Sequence, residues 1–175
     1  MNKFDRDYNR HNKAHGLSKL LSILRHRQLR ALWYLRHAEN APSFISKWFS
    51  RIGGGILLKD GIEIGSTKKI GGGLMLVHAS GITINHRGSI GEDLTIFKGA
   101  TIGSIRSGKK QGAPKIGDRV TICANAMVCG KITIGDDVLI AAGAYVNFDV
   151  PSNSVVIGNP GVIHHKDNPS ADYLR

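Results

Sequence analysis

Aliphatic side chains return at every sixth position through most of the chain, and this is its dominant pattern. The repeating positions are Ile64, Ile70, Leu76, Ile84, Ile90, Ile96, Ile102, Ile116, Ile122, Val128, Ile134, Ile140 and Val146. Neither a helical period of 3.6 residues nor a simple strand period of two explains them. A six-residue period predicts one short strand and one turn per hexapeptide, with three hexapeptides closing a triangular coil of about 18 residues. The predicted fold class is therefore an all-β solenoid with its aliphatic residues stacked inward.

Two irregularities interrupt this period. The step from Leu76 to Ile84 contains two extra residues around positions 80–82, and a loop of about ten residues occupies positions 104–115. Insertions in a solenoid form loops on one face, often the binding face. The longer loop carries Arg106 and Lys109, whose charged groups suit an anionic acceptor or phosphates. A merely solvated loop is the alternative.

Glycine follows many of the aliphatic positions, as at Gly91, Gly117 and Gly135. Because glycine adopts positive φ without steric cost, we expect it to form the corners of the coils.

The segment before the repeat, at positions 1–60, has a different pattern. Positions 17–38 predict one amphipathic helix that begins with Leu17 and Leu20, and Pro42 predicts the start of a second, which carries Trp48. Such helices would cap the unpaired strand edges of the first coil, or would attach the protein to a membrane surface through their basic residues. The predicted regions are a helical cap over 1–60, a β-helix over 61–162 and a flexible tail over 163–175.

Charge is unevenly distributed along the chain, whose formal net charge is +11. Residues 1–60 carry 12 Lys and Arg against 4 Asp and Glu, a net +8, and residues 61–175 carry 12 against 9, a net +3. A basic segment suits nucleic acid, anionic lipid or an anionic substrate. Nucleic acid is not expected as a partner, because no nucleic-acid-binding motif is present. Without an apolar run long enough for a membrane span, or a signal-peptide pattern, we expect a cytoplasmic protein, with contact at the inner face of the membrane left open.

Four segments within the repeat resemble the serine acetyltransferase branch of the hexapeptide acyltransferases. They are 73–81 (GLMLVHASG), 99–103 (GATIG), 114–117 (PKIG) and 155–160 (VVIGNP). The resemblance implies a left-handed parallel β-helix that forms a homotrimer with active sites between neighbouring subunits. It also implies acetyl-CoA as the acyl donor and a hydroxyl group as the acceptor. No metal is expected, because a zinc site would need three histidines and His78 and His86 are the only candidates in the solenoid.

The chain departs from that branch where the acceptor is recognised. The family's Asp-His pair is here Val77-His78, its Asp-Arg-His segment is Gln111-Gly112-Ala113, and its helical N-terminal domain is more than twice as long. Shortened relatives of this kind resemble the O-acetyltransferases of capsule and exopolysaccharide synthesis. The expected acceptor is therefore a sugar hydroxyl; serine, as in cysteine biosynthesis, and a non-catalytic trimeric scaffold are the alternatives.

His78 is the expected general base, since it stands at the family's catalytic position and an imidazole suits proton transfer near neutral pH. A carboxylate that orients the imidazole would improve the base. Glu63 matches the family position fifteen residues earlier, and Asp60, one coil below His78, is its rival. His86 is close enough in sequence to contact the acceptor, although a structural place at a corner is the alternative.

The resemblance also implies where acetyl-CoA binds. Backbone N–H groups at Gly103 and Ser104 are expected beside the reacting carbonyl. Ala124 and Ala142, one coil apart, are expected to line the channel of the pantetheine arm, unless they are merely small residues at tight corners. The adenine end is expected at Gly158, Asn159 and Pro160, with Lys166 near a CoA phosphate.

Overall fold

A computed structural model describes residues 1–12 and 19–173. Four helices precede the repeat: α1 (Lys3–Asn12), α2 (Lys19–Arg25), α3 (Arg27–Ala38) and α4 (Ser43–Leu58). The strands are β1 (Glu63–Ile64), β2 (Met75–Val77), β3 (Thr83–Ile84), β4 (Ser89–Ile90), β5 (Thr95–Phe97), β6 (Thr101–Gly103), β7 (Lys115–Ile116), β8 (Thr121–Ile122), β9 (Met127–Cys129), β10 (Thr133–Ile134), β11 (Val138–Ile140), β12 (Tyr145–Val146), β13 (Ser154–Ile157) and β14 (Val162–His165). A short 3₁₀ helix covers Ala171–Tyr173.

The strands form three sheets that the chain visits in rotation. Face A has the order β1-β3-β6-β9-β12, face B has β10-β7-β4, and face C has β14-β13-β11-β8-β5-β2. All neighbours are parallel except β13 and β14, which form an antiparallel hairpin. The repeat and the parallel solenoid predicted from the sequence are therefore confirmed; the left-handed sense stays a prediction.

The strand register reproduces both sequence irregularities. Ile116 pairs with Ile134, three hexapeptides further along, as the regular coil requires. Ile64 pairs with Ile84, two positions beyond three hexapeptides, because the coil between them contains the shorter insertion. Ile102 pairs with Val128, eight positions beyond three hexapeptides, because the long loop belongs to that coil. The aliphatic positions point inward, and all are buried except the partly buried Ile64.

Glycines with positive φ form corners as expected, for example Gly99 and Gly143, but the glycines that directly follow the aliphatic positions serve a different purpose. Gly91 and Gly117 do not have positive φ, which occurs instead at other glycines and at several Asp, Asn, Arg and His residues. A Cβ on Gly117 would lie 2.2 Å from Asp136 Oδ1 and 2.8 Å from the carbonyl carbon of Gly135. These glycines are therefore needed for close coil-to-coil approach, which lets Asp136 Oδ1 accept a hydrogen bond from Asp118 N–H at 2.8 Å.

The N-terminal helices differ from the expectation in number and extent. The expected helix over 17–38 is interrupted between Arg25 and Arg27, and Leu17 lies outside the described residues. Helix α4 begins after Pro42 as predicted. The sequence did not predict α1, because this helix has no apolar stripe. Its polar residues contact the first coil instead. No described helix is long and apolar enough to cross a membrane.

A buried ion pair joins the helical cap to the first coil. Asp7 of α1 accepts a hydrogen bond from Arg36 Nε at 2.8 Å and from the N–H groups of Gly73 and Leu74, each at 2.8 Å. Arg36 also donates to the carbonyl oxygens of Ile70 at 2.8 Å and Gly71 at 2.6 Å. Burial lowers the pKa of Arg36, but the hydrogen bonds and charges of its carboxylate partners outweigh burial and leave that pKa raised. Backbone groups left without a strand partner are thus satisfied by charged side chains.

The described part of the C-terminal segment packs against face C, where the sequence predicted a loose tail. Ser170 donates its N–H to Asp137 Oδ1 at 3.2 Å and its hydroxyl to the Val138 carbonyl at 3.1 Å. The carbonyl of Tyr173 accepts a hydrogen bond from Arg10 Nη2 at 3.3 Å. The tail is held because its polar groups pair with α1 and with the edge of the coils.

Helices α3 and α4 approach closely at Gly53, and substitution there tests this packing. A Cβ on Gly53 would lie 2.9 Å from Leu35 Cγ and 3.0 Å from the Ala31 carbonyl oxygen, whereas one on Gly55 meets no atom within 4 Å. We expect Gly53→Ala to lower the free energy of unfolding by about 1–3 kcal/mol through overpacking. Gly55→Ala should raise it by up to about 1 kcal/mol through helix propensity. Chemical unfolding of both variants measures this, and equal effects would contradict the close approach.

We expect His11 to make stability depend on pH. Leu76 N–H donates to its Nε2 at 3.2 Å and its Nδ1 lies 2.8 Å from the Asp7 carbonyl, an arrangement that fits the neutral imidazole protonated at Nδ1. Burial lowers the pKa of His11. The unfolded chain therefore binds a proton that the folded chain does not, so stability is complete above about pH 6.5 and is lost below it, by about 1.4 kcal/mol per pH unit until the folded-state pKa is reached.

The measurement is the free energy of unfolding of the wild type and His11→Gln between pH 8 and pH 5. We expect a smaller loss on acidification in the variant, because its amide does not titrate. Parallel curves for the two proteins would show that His11 is not the titrating group.

Candidate functional site

The turns that lead from face C to face A are stacked in one column, which we call the C–A corner. Gly99 N–H donates to the Ser80 carbonyl at 2.9 Å, Asn125 N–H to the Lys98 carbonyl at 3.0 Å, and Gly143 N–H to the Ala124 carbonyl at 2.9 Å. His78 belongs to the first turn of this column, Ala124 to the third and Ala142 to the fourth. The structure therefore places these three predicted site residues along one edge of the prism.

Gly158 continues this column, but Lys166 does not. Tyr145 N–H donates to the Gly158 carbonyl at 3.1 Å, and Asn159 and Pro160 follow in the exposed turn between β13 and β14. Lys166 N–H instead bonds the Asn153 carbonyl at 3.0 Å, at the opposite end of β13. A four-residue strand spans roughly 13 Å, so the structure separates Lys166 from the other residues expected near the adenine end.

His78 follows β2 with a φ of 48°, in the left-handed region that side chains other than glycine rarely adopt. The residue is exposed, and its ring has no hydrogen bond to any of the residues that the structure describes. Asp93, Arg119 and Asn125 adopt the same conformation at other turns of the coils, so it reflects the turn geometry of the solenoid. Because the ring is exposed, the imidazole is available to a ligand.

Glu63 and Asp60, the two carboxylates considered for His78, have different environments. Asp60 is engaged in an ion pair with Arg27 of the cap. Glu63 is exposed, and it lines a cavity of about 260 Å³ together with His86 rather than His78. Neither carboxylate hydrogen-bonds His78 within the described chain, so the expected dyad is not formed in a single subunit.

The cavity beside Glu63 lies over the first strands of face A, below Leu58 of α4, and extends to the turn from face A to face B, which we call the A–B corner. Asn85 lines it and donates from Nδ2 to Ser104 Oγ at 3.2 Å. Gly65 leaves room for His86, because a Cβ there would approach His86 Cβ to 2.8 Å. Asn85 was missed in the sequence, although its place directly before His86, after an inward strand, could have pointed to it.

The long loop is a short hairpin rather than an irregular excursion. Ile105 and Gly112 exchange two backbone hydrogen bonds of 2.9 Å each, and Lys110 Nζ donates to the Asn147 carbonyl. The hairpin thus leans towards the C-terminal coils. Arg106 and Lys109 are exposed and form no ion pair with a described residue.

The C–A and A–B corners lie on opposite edges of face A. From Gly99 to Ser104 the extended chain covers roughly 16 Å. One subunit therefore does not bring His78 together with Gly103 and Ser104, which were expected around the same reacting carbonyl. The two corners can meet the same reacting carbonyl only where two copies of the chain adjoin. No group of three metal-ligating side chains occurs among residues 1–12 and 19–173.

Comparison with known proteins agrees with this architecture. A family model described as bacterial transferase hexapeptide (six repeats) matches residues 113–147. The chain is 41% identical to a serine acetyltransferase of Helicobacter pylori over 107 residues, covering 61% of this chain and 63% of the relative. It is 40% identical to a serine acetyltransferase of Staphylococcus aureus over 132 residues, covering 74% of this chain and 56% of the relative. The chain thus spans less than two thirds of the length of these curated relatives.

Solved structures show the same similarity. Neisseria gonorrhoeae serine acetyltransferase in complex with serine aligns with a TM-score of 0.72 and 27% identity, over 92% of this chain and 67% of that one. Soybean serine acetyltransferase aligns with a TM-score of 0.76 over 93% of this chain and 67% of that one, and at 24% identity it supports the fold alone.

The chain therefore carries a hexapeptide repeat of the transferase type, and the relatives named here are serine acetyltransferases. The expectation of a polysaccharide-modifying enzyme is not supported. These relatives are named serine acetyltransferases, and serine was the alternative acceptor expected from the sequence.

Proposed function

We propose that the protein is an acetyl-CoA-dependent O-acetyltransferase with L-serine as its first candidate acceptor. The observation that carries the proposal is the C–A corner, where an exposed histidine and two small residues lie in one hydrogen-bonded column. The serine acetyltransferase relatives support the choice of acceptor.

His78 acts as the general base that accepts the proton of the attacking hydroxyl. Its ring is free of protein partners among the described residues, so a ligand hydroxyl meets no competition for it. Glu63 is the carboxylate proposed to orient His78 and stabilise its imidazolium form, since Asp60 is neutralised by Arg27. Glu63 is exposed on face A and available to reach a neighbouring subunit.

Acetyl-CoA is proposed to lie along the C–A corner. Ala124 and Ala142 leave space for the pantetheine arm, and Gly158, Asn159 and Pro160 form the end of the column nearest the adenine. Lys166 would contact a phosphate of CoA only if the nucleotide end of CoA crossed face C. Gly103 and Ser104 would supply oxyanion donors from the A–B corner of a neighbouring subunit.

A homotrimer is part of this proposal. A cyclic arrangement of three-sided subunits would bring the C–A corner of one chain to the A–B corner of the next. The distance across face A supports this, because a single subunit does not bring the two corners together.

A sugar hydroxyl is the second candidate acceptor, favoured by one observation. Val77, Gly112 and Ala113 occupy positions where the resemblance implies charged groups for the amino-acid acceptor. His86, Arg106 and Lys109 would then contact the acceptor, the two cations serving an anionic sugar precursor.

The test is release of free thiol from acetyl-CoA, with L-serine and with a panel of sugars and nucleotide sugars. We expect turnover with serine, and His78→Ala should lower kcat by about 10²–10⁴-fold because the general base is lost. His164→Ala, at an exposed histidine of β14, is the matched control and should keep wild-type activity. Turnover with a sugar but not serine would select the second acceptor. No turnover together with no affinity for CoA would leave a scaffold and refute the proposed enzyme.

Ala142→Leu tests the proposed position of the donor. Ala142 is exposed, so the larger side chain should fold normally but obstruct the pantetheine arm. We expect the KM for acetyl-CoA to rise by about tenfold or more while the KM for the acceptor changes little. Ala171→Leu, exposed in the 3₁₀ helix, is the control. An unchanged KM for acetyl-CoA would show that the donor lies elsewhere.

A further inference from the structure

Helix α4 presents one continuous outward face of aromatic, aliphatic and basic residues. Phe44, Lys47, Trp48, Arg51 and Leu58 fall within an arc of about 100° at 100° per residue. Phe44 is 74% exposed, Trp48 58% and Leu58 59%. The opposite side of α4 is buried against α3, so the exposed face is not the one that holds the cap together. We call these five residues the α4 face.

Trp48 of the α4 face packs against neighbouring aromatic rings. The Trp48 ring contacts Tyr34 with a centroid separation of 6.5 Å and Phe49 with 5.3 Å. The neighbouring rings hold the Trp48 ring in place, while most of its surface remains exposed. A large apolar side chain kept at the surface in this way marks a surface for interaction.

The positive charges of the α4 face have no acidic partner among the described residues. Helix α4 contains no acidic residue. Asp7 and Glu39 form ion pairs with Arg36, and Asp60 forms one with Arg27. These carboxylates of the cap therefore pair with cations outside the α4 face. Among the residues that the structure describes, neither Lys47 nor Arg51 takes part in an ion pair. The net charge of +8 over residues 1–60 therefore includes two free cations beside exposed aromatic rings.

This combination selects among possible occupants. A second copy of the same face would oppose Lys47 and Arg51 with like charges. Nucleic acid would neutralise the cations and stack its bases on the aromatic rings, but it would leave the aliphatic Leu58 without an apolar partner. An anionic lipid surface satisfies both features, since Trp and Phe rings prefer the headgroup boundary and Lys and Arg are attracted to anionic headgroups.

We propose that the α4 face binds the surface of a membrane that contains anionic phospholipid. Phe44, Trp48 and Leu58 enter the boundary between headgroups and acyl chains, while Lys47 and Arg51 lie at the phosphates. The interaction is peripheral, because no described helix is long and apolar enough to span the bilayer. Leu58 also lines the cavity beside Glu63 and His86. The other four residues of the α4 face do not line that cavity, so variants at those four test membrane binding separately from acetyl transfer.

Co-sedimentation of the full chain with vesicles tests the proposal. We expect binding to vesicles of phosphatidylcholine mixed with phosphatidylglycerol, and little binding to vesicles of phosphatidylcholine alone. Lys47→Gln combined with Arg51→Gln should weaken binding by about tenfold or more, because each cation contributes to headgroup attraction. Phe44→Ser combined with Trp48→Ser should weaken it similarly through lost insertion. High salt should weaken wild-type binding.

Matched controls separate the α4 face from general basicity. Lys69→Gln combined with Lys131→Gln removes the same charge from exposed positions on the solenoid and should bind within about twofold of the wild type. Thermal unfolding of each variant checks that it is folded. In a Trp33→Phe background Trp48 is the single tryptophan, and brominated acyl chains should quench its fluorescence.

Three outcomes would overturn the proposal. The first is equal binding to neutral and anionic vesicles, or binding to neither. The second is an equal loss in the control pair, which would indicate non-specific charge attraction. The third is concentration-dependent self-association, or binding to a DNA or RNA oligonucleotide instead of vesicles, that the α4-face variants abolish.

Discussion

The open end of the solenoid is the constraint on which the rest of this molecule depends. A coil at the end of a stack has backbone N–H and carbonyl groups with no neighbouring strand, and leaving them buried and unpaired is costly. Here Asp7 accepts from Gly73 and Leu74 while Arg36 donates to carbonyls of the same coil, and the two side chains neutralise each other. The pair attaches the cap at one particular position. Removing either partner would leave a buried charge uncompensated.

The corners carry most of the proposed chemistry, and Glu63 on face A is the exception. The faces consist of two- to four-residue strands whose aliphatic residues are directed inward. The corners carry the left-handed residues, the insertions and the exposed polar side chains. Because a three-sided prism keeps its corners apart, its most reactive positions are separated until a second subunit adjoins them. Assembly and catalysis are thus coupled by shape in the proposed enzyme.

The cap combines a structural and a surface character in one short segment. Its paired acidic residues are turned inward, to cations or to the first coil, and this leaves basic and aromatic groups on the outside. Because the carboxylates of the cap are used to pair with the strand edge and with inward cations, the outer surface of the cap is basic. The same ion pairs explain both the attachment of the helices and the charge of the α4 face.

The sequence by itself determined the coil repeat, the positions of both insertions and the inward aliphatic columns, because a six-residue period depends only on local strand and turn geometry. It also placed Ala124 and Ala142 one coil apart, as the register shows. Only the tertiary structure decided that Gly91 and Gly117 serve close approach rather than positive φ, and that α1 exists as the partner of the first coil. It also separated His78 from Ser104, and Lys166 from Gly158. These features depend on which residues meet across distant parts of the chain, and a periodic pattern carries no information about contacts between residues that the period does not relate.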